Sequence, residues 1–215
     1  MGDTNDDLSK KLKAAAEQKV GGKAVKSKFG IDCFGLVDAL LRSLGAETAA
    51  DGTVKVTKTA DYDWGDGILL DSIQPGDILQ FSKHVVDIGT WERVNGKWHE
   101  TKGRTLTRPH HTAIVIAVGK DGSVTVVEQN VQPDPNRVVR SVIPKLDTGE
   151  VERTSGDTKI KIKVTGSVRA YRAVPKADKG ASLDPGTGGW RTYASIVPAH
   201  GGARRPPGSI GTDSA

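Results

Sequence analysis

The sequence predicts a globular domain that opens with two helices and continues as a series of short β-strands. Its 215 residues are enough to enclose a hydrophobic core. Apolar residues recur at helical spacing before residue 45, whereas β-branched runs between turn sequences dominate from residue 78 to residue 171. Beyond residue 175 the composition shifts to Gly, Pro, Ala, Ser and Arg, as in disordered segments. We therefore divide the chain into an N-terminal helix and linker (1–24), a folded domain (25–175) and a disordered tail (176–215).

Both helices have start and stop signals. The first is predicted for residues 6–20, because acids begin it, lysines follow and two glycines end it. The second is predicted for residues 33–44, with Asp32 as its N-cap and Gly45 as its stop. The apolar face of this second helix is spaced for burial and consists of Val37, Leu40, Leu41 and Leu44.

Turn sequences locate the strands. Gln-Pro-Gly-Asp at 74–77 is typical of a turn, and Asn95-Gly96 is typical of a hairpin turn within a polar segment. The clearest hairpin contains Asp121-Gly122, which we expect to form a two-residue turn. These turns and the β-branched runs between them predict strands at 78–81, 112–118, 123–127, 138–143, 160–164 and 167–171.

Composition limits the classes of function. No stretch has the roughly 18 apolar residues of a membrane helix, and residues 1–20 lack the apolar region of a secretory signal. We therefore expect a protein that is cytoplasmic as synthesised and has no membrane partner. The net charge of +5 is spread along the chain, so the lysine runs indicate solvated surfaces and we expect no nucleic-acid partner.

The only cysteine, Cys33, is the first candidate for chemistry. It cannot form an internal disulfide, so its thiol is free. It lies in the first turn of the predicted second helix, where unpaired N–H groups and the helix dipole stabilise a thiolate, the nucleophilic form. A buried and inert structural cysteine is the alternative interpretation of this spacing.

Strand alternation distinguishes two neighbouring histidines. With a two-residue turn, the hairpin register places His111, Glu128 and Asn130 on one face and His110 on the other. A thiol, an imidazole and a polar acceptor are the nucleophile, base and orienting group of thiol acyl transfer. Glu128 and Asn130 are both candidates for the orienting group. The two-residue turn puts Asn130 nearer to His111, whereas a longer loop would bring Glu128 closer.

Three segments, in this order along the chain, carry a family resemblance. Asp-Cys-Phe-Gly-Leu-Val at 32–37 resembles the Asp-Cys-Ser-Gly-Leu-Val nucleophile motif of the NlpC/P60 cysteine peptidases. Residues 74–81 are similar to the Pro-Gly-Asp segment that opens the sheet in those enzymes and in the related CHAP amidases. His111, followed 17 residues later by Glu-Gln-Asn at 128–130, resembles the CHAP pattern of His and Glu-x-Asn. The resemblance covers roughly residues 25–175.

The resemblance implies a papain-like α+β fold, in which the cysteine helix packs on an antiparallel β-sheet, and hydrolysis of amide bonds. The site residues that it implies are the nucleophile Cys33, the base and later acid His111, the orienting group Glu128 or Asn130, and the oxyanion-holding backbone at Asp32 and Cys33. Two positions depart from the pattern. Asp32 stands where CHAP members often carry Gln, and Phe34 stands where Ser is usual.

Two functions fit the sequence. The first is a monomeric cysteine amidase or endopeptidase that acts through a thioester on a peptide or peptidoglycan-like substrate, and that would reach a cell wall by a non-classical route. The second is a non-catalytic binding or structural protein on the same fold, with a basic tail that contacts an anionic polymer. We expect neither metal nor cofactor, because the histidines lack metal-ligand spacing and the Gly-rich segments lack a phosphate-loop lysine.

Overall fold

The computed structural model describes residues 4–26, 32–51, 57 and 60–177. These contain two α-helices, α1 (Thr4–Lys19) and α2 (Cys33–Ser43). The β-strands in the described residues are β1 (Asp66–Ile68), β2 (Ile78–Val94), β3 (Lys97–Val118), β4 (Val124–Gln129), β5 (Val138–Ile143), β6 (Gly149–Ser155) and β7 (Thr158–Arg172). All strand pairs are antiparallel, in the order β1-β7-β2-β3-β4-β5, with β6 beside β7. Helices beside a largely antiparallel sheet agree with the α+β class. The predicted tail lies outside the described residues from residue 178 onward.

Helix α2 forms where its capping signals predict. Asp32 is extended and its carboxylate accepts a hydrogen bond from the Gly35 N–H at 2.8 Å, so the first turn of the helix is capped. Gly45, with a φ of +68°, follows the end of the helix. The apolar faces of α1 and α2 are buried together against one face of the sheet. This packing holds Cys33, the first residue of α2, at a fixed place beside the strands.

The Pro-Gly-Asp turn ties the start of β2 to two other elements. Gly76 has a φ of +98°, and a Cβ there would lie 2.1 Å from the Ser9 carbonyl oxygen of α1, so only glycine fits. Asp77 is fully buried and accepts hydrogen bonds from the Gln74 N–H at 2.7 Å and from Arg172 Nε at 3.0 Å. The turn therefore anchors β2 between α1 and β7.

Strands β2 and β3 form a hairpin much longer than the sequence predicted. Its turn is Asn95-Gly96, and both residues have the positive φ that a tight hairpin turn requires. The two short strands expected at 160–164 and 167–171 are one strand, β7, which pairs with β2. Strands β1 and β6 were not predicted, because β1 has only three residues and β6 is almost wholly exposed.

The predicted two-residue turn between β3 and β4 is wrong. The Gly119 N–H donates to the Ser123 carbonyl at 2.7 Å, which leaves three residues in the loop. A bulge at Ile116 then shifts the register by one more residue. Because the two register shifts add to two residues, an even number, His111, Glu128 and Asn130 stay on the face that the sequence predicted. The same shifts bring Glu128 closer to His111 than the predicted register did.

A kink crosses three neighbouring strands, β2, β3 and β7, close to His110. In β2, Lys83 has a φ of +50°, and in β7 a Cβ on Gly166 would lie 2.1 Å from the Lys83 carbonyl oxygen. In β3, Pro109 lies opposite Lys83 and has no N–H to donate, and the pairing skips this position. Phe81 and Val86 lie an odd number of residues apart yet belong to one core cluster. Side-chain alternation is therefore reset at the kink.

Candidate active site

Cys33 lies at the N-terminal end of α2 and is partly exposed. Its Sγ donates a hydrogen bond to the His110 carbonyl at 3.8 Å. The next residue, Phe34, is buried with its ring 4.7 Å from the Tyr62 ring and 5.0 Å from the Trp64 ring, measured between centroids. This aromatic cluster occupies the space beside the thiol. It gives a structural reason for a large side chain where the resemblance has serine.

His111 and Glu128 form a buried pair next to the thiol. His111 Nε2 and Glu128 Oε2 are 2.9 Å apart, and the two residues are 5% and 0% exposed. Cys33 lies next to this pair and is among the groups that raise the His111 pKa. Since Nε2 is engaged by the carboxylate, Nδ1 is the ring nitrogen available to the thiol. The three side chains thus stand in the order thiol, imidazole and carboxylate, as in a cysteine triad.

The surroundings of His111 favour its charged form. Burial alone would lower its pKa, but the interactions with Cys33 and with the hydrogen-bonded, charged Glu128 raise it to about 9. For Glu128, burial would raise the pKa. The hydrogen bonds from His111 and Arg108 outweigh burial and hold the Glu128 pKa well below its usual range. At neutral pH the site therefore holds an imidazolium between the Glu128 carboxylate and Cys33.

Arg108 is a member of the site that the sequence did not reveal. It is 4% exposed, and its Nε and Nη2 donate to the two oxygens of Glu128 at 2.9 and 2.6 Å. This two-point contact fixes the plane of the carboxylate. Alternation from His111 would have put Arg108 on the opposite face. Pro109 within the strand was the available signal, because prolines in strands mark bulges and kinks that break alternation.

Of the two candidate orienting groups, Glu128 contacts His111 and Asn130 does not. Asn130 follows the end of β4 with a φ of +61° and is exposed, although it lines the same cleft as Cys33. His110 is placed as alternation predicted, away from Glu128. Its Nδ1 lies 3.2 Å from Asp61 Oδ1, while its backbone carbonyl receives the thiol. The two histidines therefore have separate acidic partners.

Gln129 connects the sheet to the segment that leads into α2. Its side chain is fully buried and points away from Glu128, its neighbour in β4. Its Nε2 donates to the Asp32 carbonyl at 2.6 Å and to the Val25 carbonyl at 2.9 Å, and its Oε1 accepts from the Val25 N–H at 2.7 Å. Gln129 therefore holds the N-cap of α2, and with it the thiol, against the strand that carries the carboxylate. The available signal was strand alternation, which turns Gln129 to the face of β4 opposite Glu128.

A cleft of about 840 Å³ opens onto the triad. Its lining includes Cys33, His111 and Glu128. It is also lined by residues 104–110 of β3 and by residues 130–132 and 140–142. A cleft of this volume is in the range that holds a small ligand or a short stretch of peptide.

Among the residues that the structure describes, no three His, Cys, Asp or Glu side chains are grouped to hold a metal ion. In the same residues, no helix is both long and apolar enough to span a membrane.

Residues 2–181 match the protein-family model described as "AIM3/BBC1 Cysteine proteinase-fold domain". No curated protein sequence and no solved structure matches the chain.

Proposed function

The chain belongs to the AIM3/BBC1 cysteine proteinase-fold domain family, and we propose that it is a cysteine hydrolase that cleaves peptide or peptidoglycan-like amide bonds. The observation that carries the proposal is the buried pair of His111 and Glu128 beside the Cys33 thiol. The order of the Cys, Pro-Gly-Asp, His and Glu-x-Asn segments further supports a site of the NlpC/P60 and CHAP type.

The proposed reaction runs through a thioester. The Cys33 thiolate attacks the amide carbonyl, and the backbone N–H at the start of α2 faces the oxyanion that forms. The side chain of Asp32 cannot serve there, because it accepts the Gly35 N–H as the helix cap. His111, protonated at neutral pH, then gives its proton to the leaving amine. Neutral His111 next takes a proton from water, whose oxygen attacks the thioester and releases Cys33.

Glu128 keeps the imidazole in position during both proton transfers. Its hydrogen bond to Nε2 leaves Nδ1 as the ring nitrogen available to the thiol, and its negative charge stabilises the imidazolium. Arg108 in turn keeps the carboxylate from rotating. The residues of the site thus form a connected series from Arg108 to the thiol.

The test is hydrolysis by the purified chain, followed by mass spectrometry on isolated muropeptides and on a mixture of synthetic peptides. We expect cleavage products with the native chain and none with Cys33→Ala. The variant should lose no more than about 1–2 kcal/mol of unfolding free energy, the scale for one small partly buried group. Equal hydrolysis by Cys33→Ala would end the cysteine-enzyme proposal.

One observation favours the second candidate, a binding protein on the same fold. Arg108 engages both oxygens of Glu128, so the carboxylate is shared between a guanidinium and the imidazole. A protein of this kind would bind peptides or an anionic polymer without turnover. Its Cys33 would react with iodoacetamide in the folded chain no faster than an ordinary thiol, whereas an activated thiol reacts well below pH 8.

A further inference from the structure

The cleft at Cys33 runs along the edge of a strand. Eight consecutive residues of β3, 104–111, line it. Because neighbouring side chains of a strand point to opposite faces, a cleft on one face of a sheet touches mainly every second residue. A continuous run of eight residues indicates that the main chain of β3 forms much of this wall.

This stretch of β3 has a free edge within the described part of the chain. Strand β4 pairs with β3 only from Ile114 to Val118, while β2 covers the other edge from Ile114 down to Lys97. Unpaired N–H and C=O groups at a sheet edge can accept a further strand. The thiol lies beside the same stretch, because the His110 carbonyl accepts its hydrogen bond.

Two arginines, Arg104 and Arg140, line the cleft besides Arg108, whose charge is balanced by Glu128. The carboxylate of the cleft, Glu128, is already bound by Arg108 and His111. Arg140 forms a long ion pair with Glu17 at 3.9 Å, and no ion pair to Arg104 is formed by the residues described. Arg104 lies six residues along the strand from His110, about 20 Å at the rise of an extended chain.

We infer that the substrate is an extended acidic peptide that binds as an added antiparallel strand along residues 104–110 of β3, with carboxylates near Arg104 and Arg140. This inference rests on the proposed function, because it names the substrate class of that site. Main-chain hydrogen bonds would supply affinity, and the two arginines would supply selection for acidic side chains.

The first experiment measures binding to full-length Cys33→Ala, so that it does not depend on turnover. Fluorescein-labelled acetyl-(Glu-Ala)₄ and acetyl-(Gln-Ala)₄ peptides are titrated by fluorescence anisotropy. We expect the Glu peptide to bind at least tenfold more tightly at low salt. Adding Arg104→Gln with Arg140→Gln should abolish this difference, whereas Arg93→Gln, which removes an arginine outside the cleft, should retain it. Equal binding of the two peptides would overturn the inference.

The second experiment tests strand addition through the peptide backbone. The Glu peptide is N-methylated at one position at a time, which removes one N–H without changing charge. In an added strand only alternate N–H groups face the protein, so losses of about tenfold should appear at every second position. Uniform losses, or none, would overturn strand addition. A peptide that binds in this pattern but is never hydrolysed by the native chain would refute the proposed function and leave the binding mode standing.

Discussion

His110 and His111 are adjacent in sequence, yet only His111 is built into the series that ends at the thiol. His111 is buried against Glu128, while His110 is partly exposed and contacts Asp61. We therefore expect His111→Ala to lose hydrolysis by on the order of 10²–10⁴-fold and His110→Ala to retain most of it. Turnover of both variants on one peptide substrate is the measurement. An inactive His110→Ala beside an active His111→Ala would contradict the assignment.

The charge of His111 predicts how turnover and stability depend on pH. Its pKa of about 9 means that the imidazolium, and with it the acid for the leaving amine, is lost as the pH rises through about 9. Turnover should fall in the same range. The stability of the fold should change with pH in the same direction. Because the folded state raises the His111 pKa above its ordinary value of 6.5, protonated His111 stabilises the fold fully below pH 6.5. This stabilisation is lost as the pH rises through about 9.

Glu128 should be the residue that maintains this charge. NMR titration of the His111 ring should show a lower pKa in Glu128→Gln and an unchanged pKa in Asn130→Ala, because Glu128, and not Asn130, forms the hydrogen bond to the imidazole. Glu128→Gln also leaves Arg108 without its carboxylate, at a cost of about 3–5 kcal/mol, so circular dichroism must confirm folding first. A pKa that falls equally in both variants would show that Asn130 shares the role.

The sequence was informative about single residues wherever alternation holds. It distinguished His111 from His110, because parity on a strand survives any even shift of register. It could not choose between Glu128 and Asn130, since that choice depends on a three-residue loop and a bulge at Ile116. Arg108 was missed for the same kind of reason: the kink at Pro109 resets the alternation that would have been used to find it.

At the scale of elements, the attachment of α2 to the sheet depends on one amide. Gln129→Leu would leave the carbonyls of Val25 and Asp32 without this donor, at a cost of about 1–3 kcal/mol. We expect α2 to shift at its N-terminal end and the rate of Cys33 alkylation by iodoacetamide to fall. Gln18→Leu, the same change on the exposed side of α1, is the matched control and should alter neither quantity. Unchanged alkylation in Gln129→Leu would show that helix packing alone positions the thiol.

Elements with local signals were predicted well, and elements that depend on distant partners were not. Helix α2 has its cap and stop in the sequence, and β5 was placed at its observed bounds, 138–143. The outer half of the β2–β3 hairpin is polar on both faces, so it lacks the periodic pattern that marks a half-buried strand. Its length comes from pairing with β7, about 80 residues away, which no local window contains.

At the scale of the whole molecule, the end of the folded body can be tested by truncation. The last described residues contact the body: Lys176 donates its N–H to the Gly45 carbonyl and pairs with Asp51 at 3.0 Å, and Pro175 bridges to Ala46. A chain cut after Ala177 should keep the melting temperature of the full chain, because its lost segment is poor in apolar residues. A chain cut after Val174 should melt lower. A drop of several degrees for the first cut would show that the predicted tail contributes to stability.

The order of the site's residues along the chain also determines when it can exist. Cys33 is synthesised 78 residues before His111 and 95 before Glu128, a gap of roughly 4–16 seconds to His111 at ordinary translation rates. Strand β2 must wait still longer, for β7, before its second edge is paired. Such distant contacts close slowly. We expect ribosome-stalled chains that end at residue 150 to react with iodoacetamide like an unfolded thiol, so that the chain carries no working nucleophile for most of its synthesis.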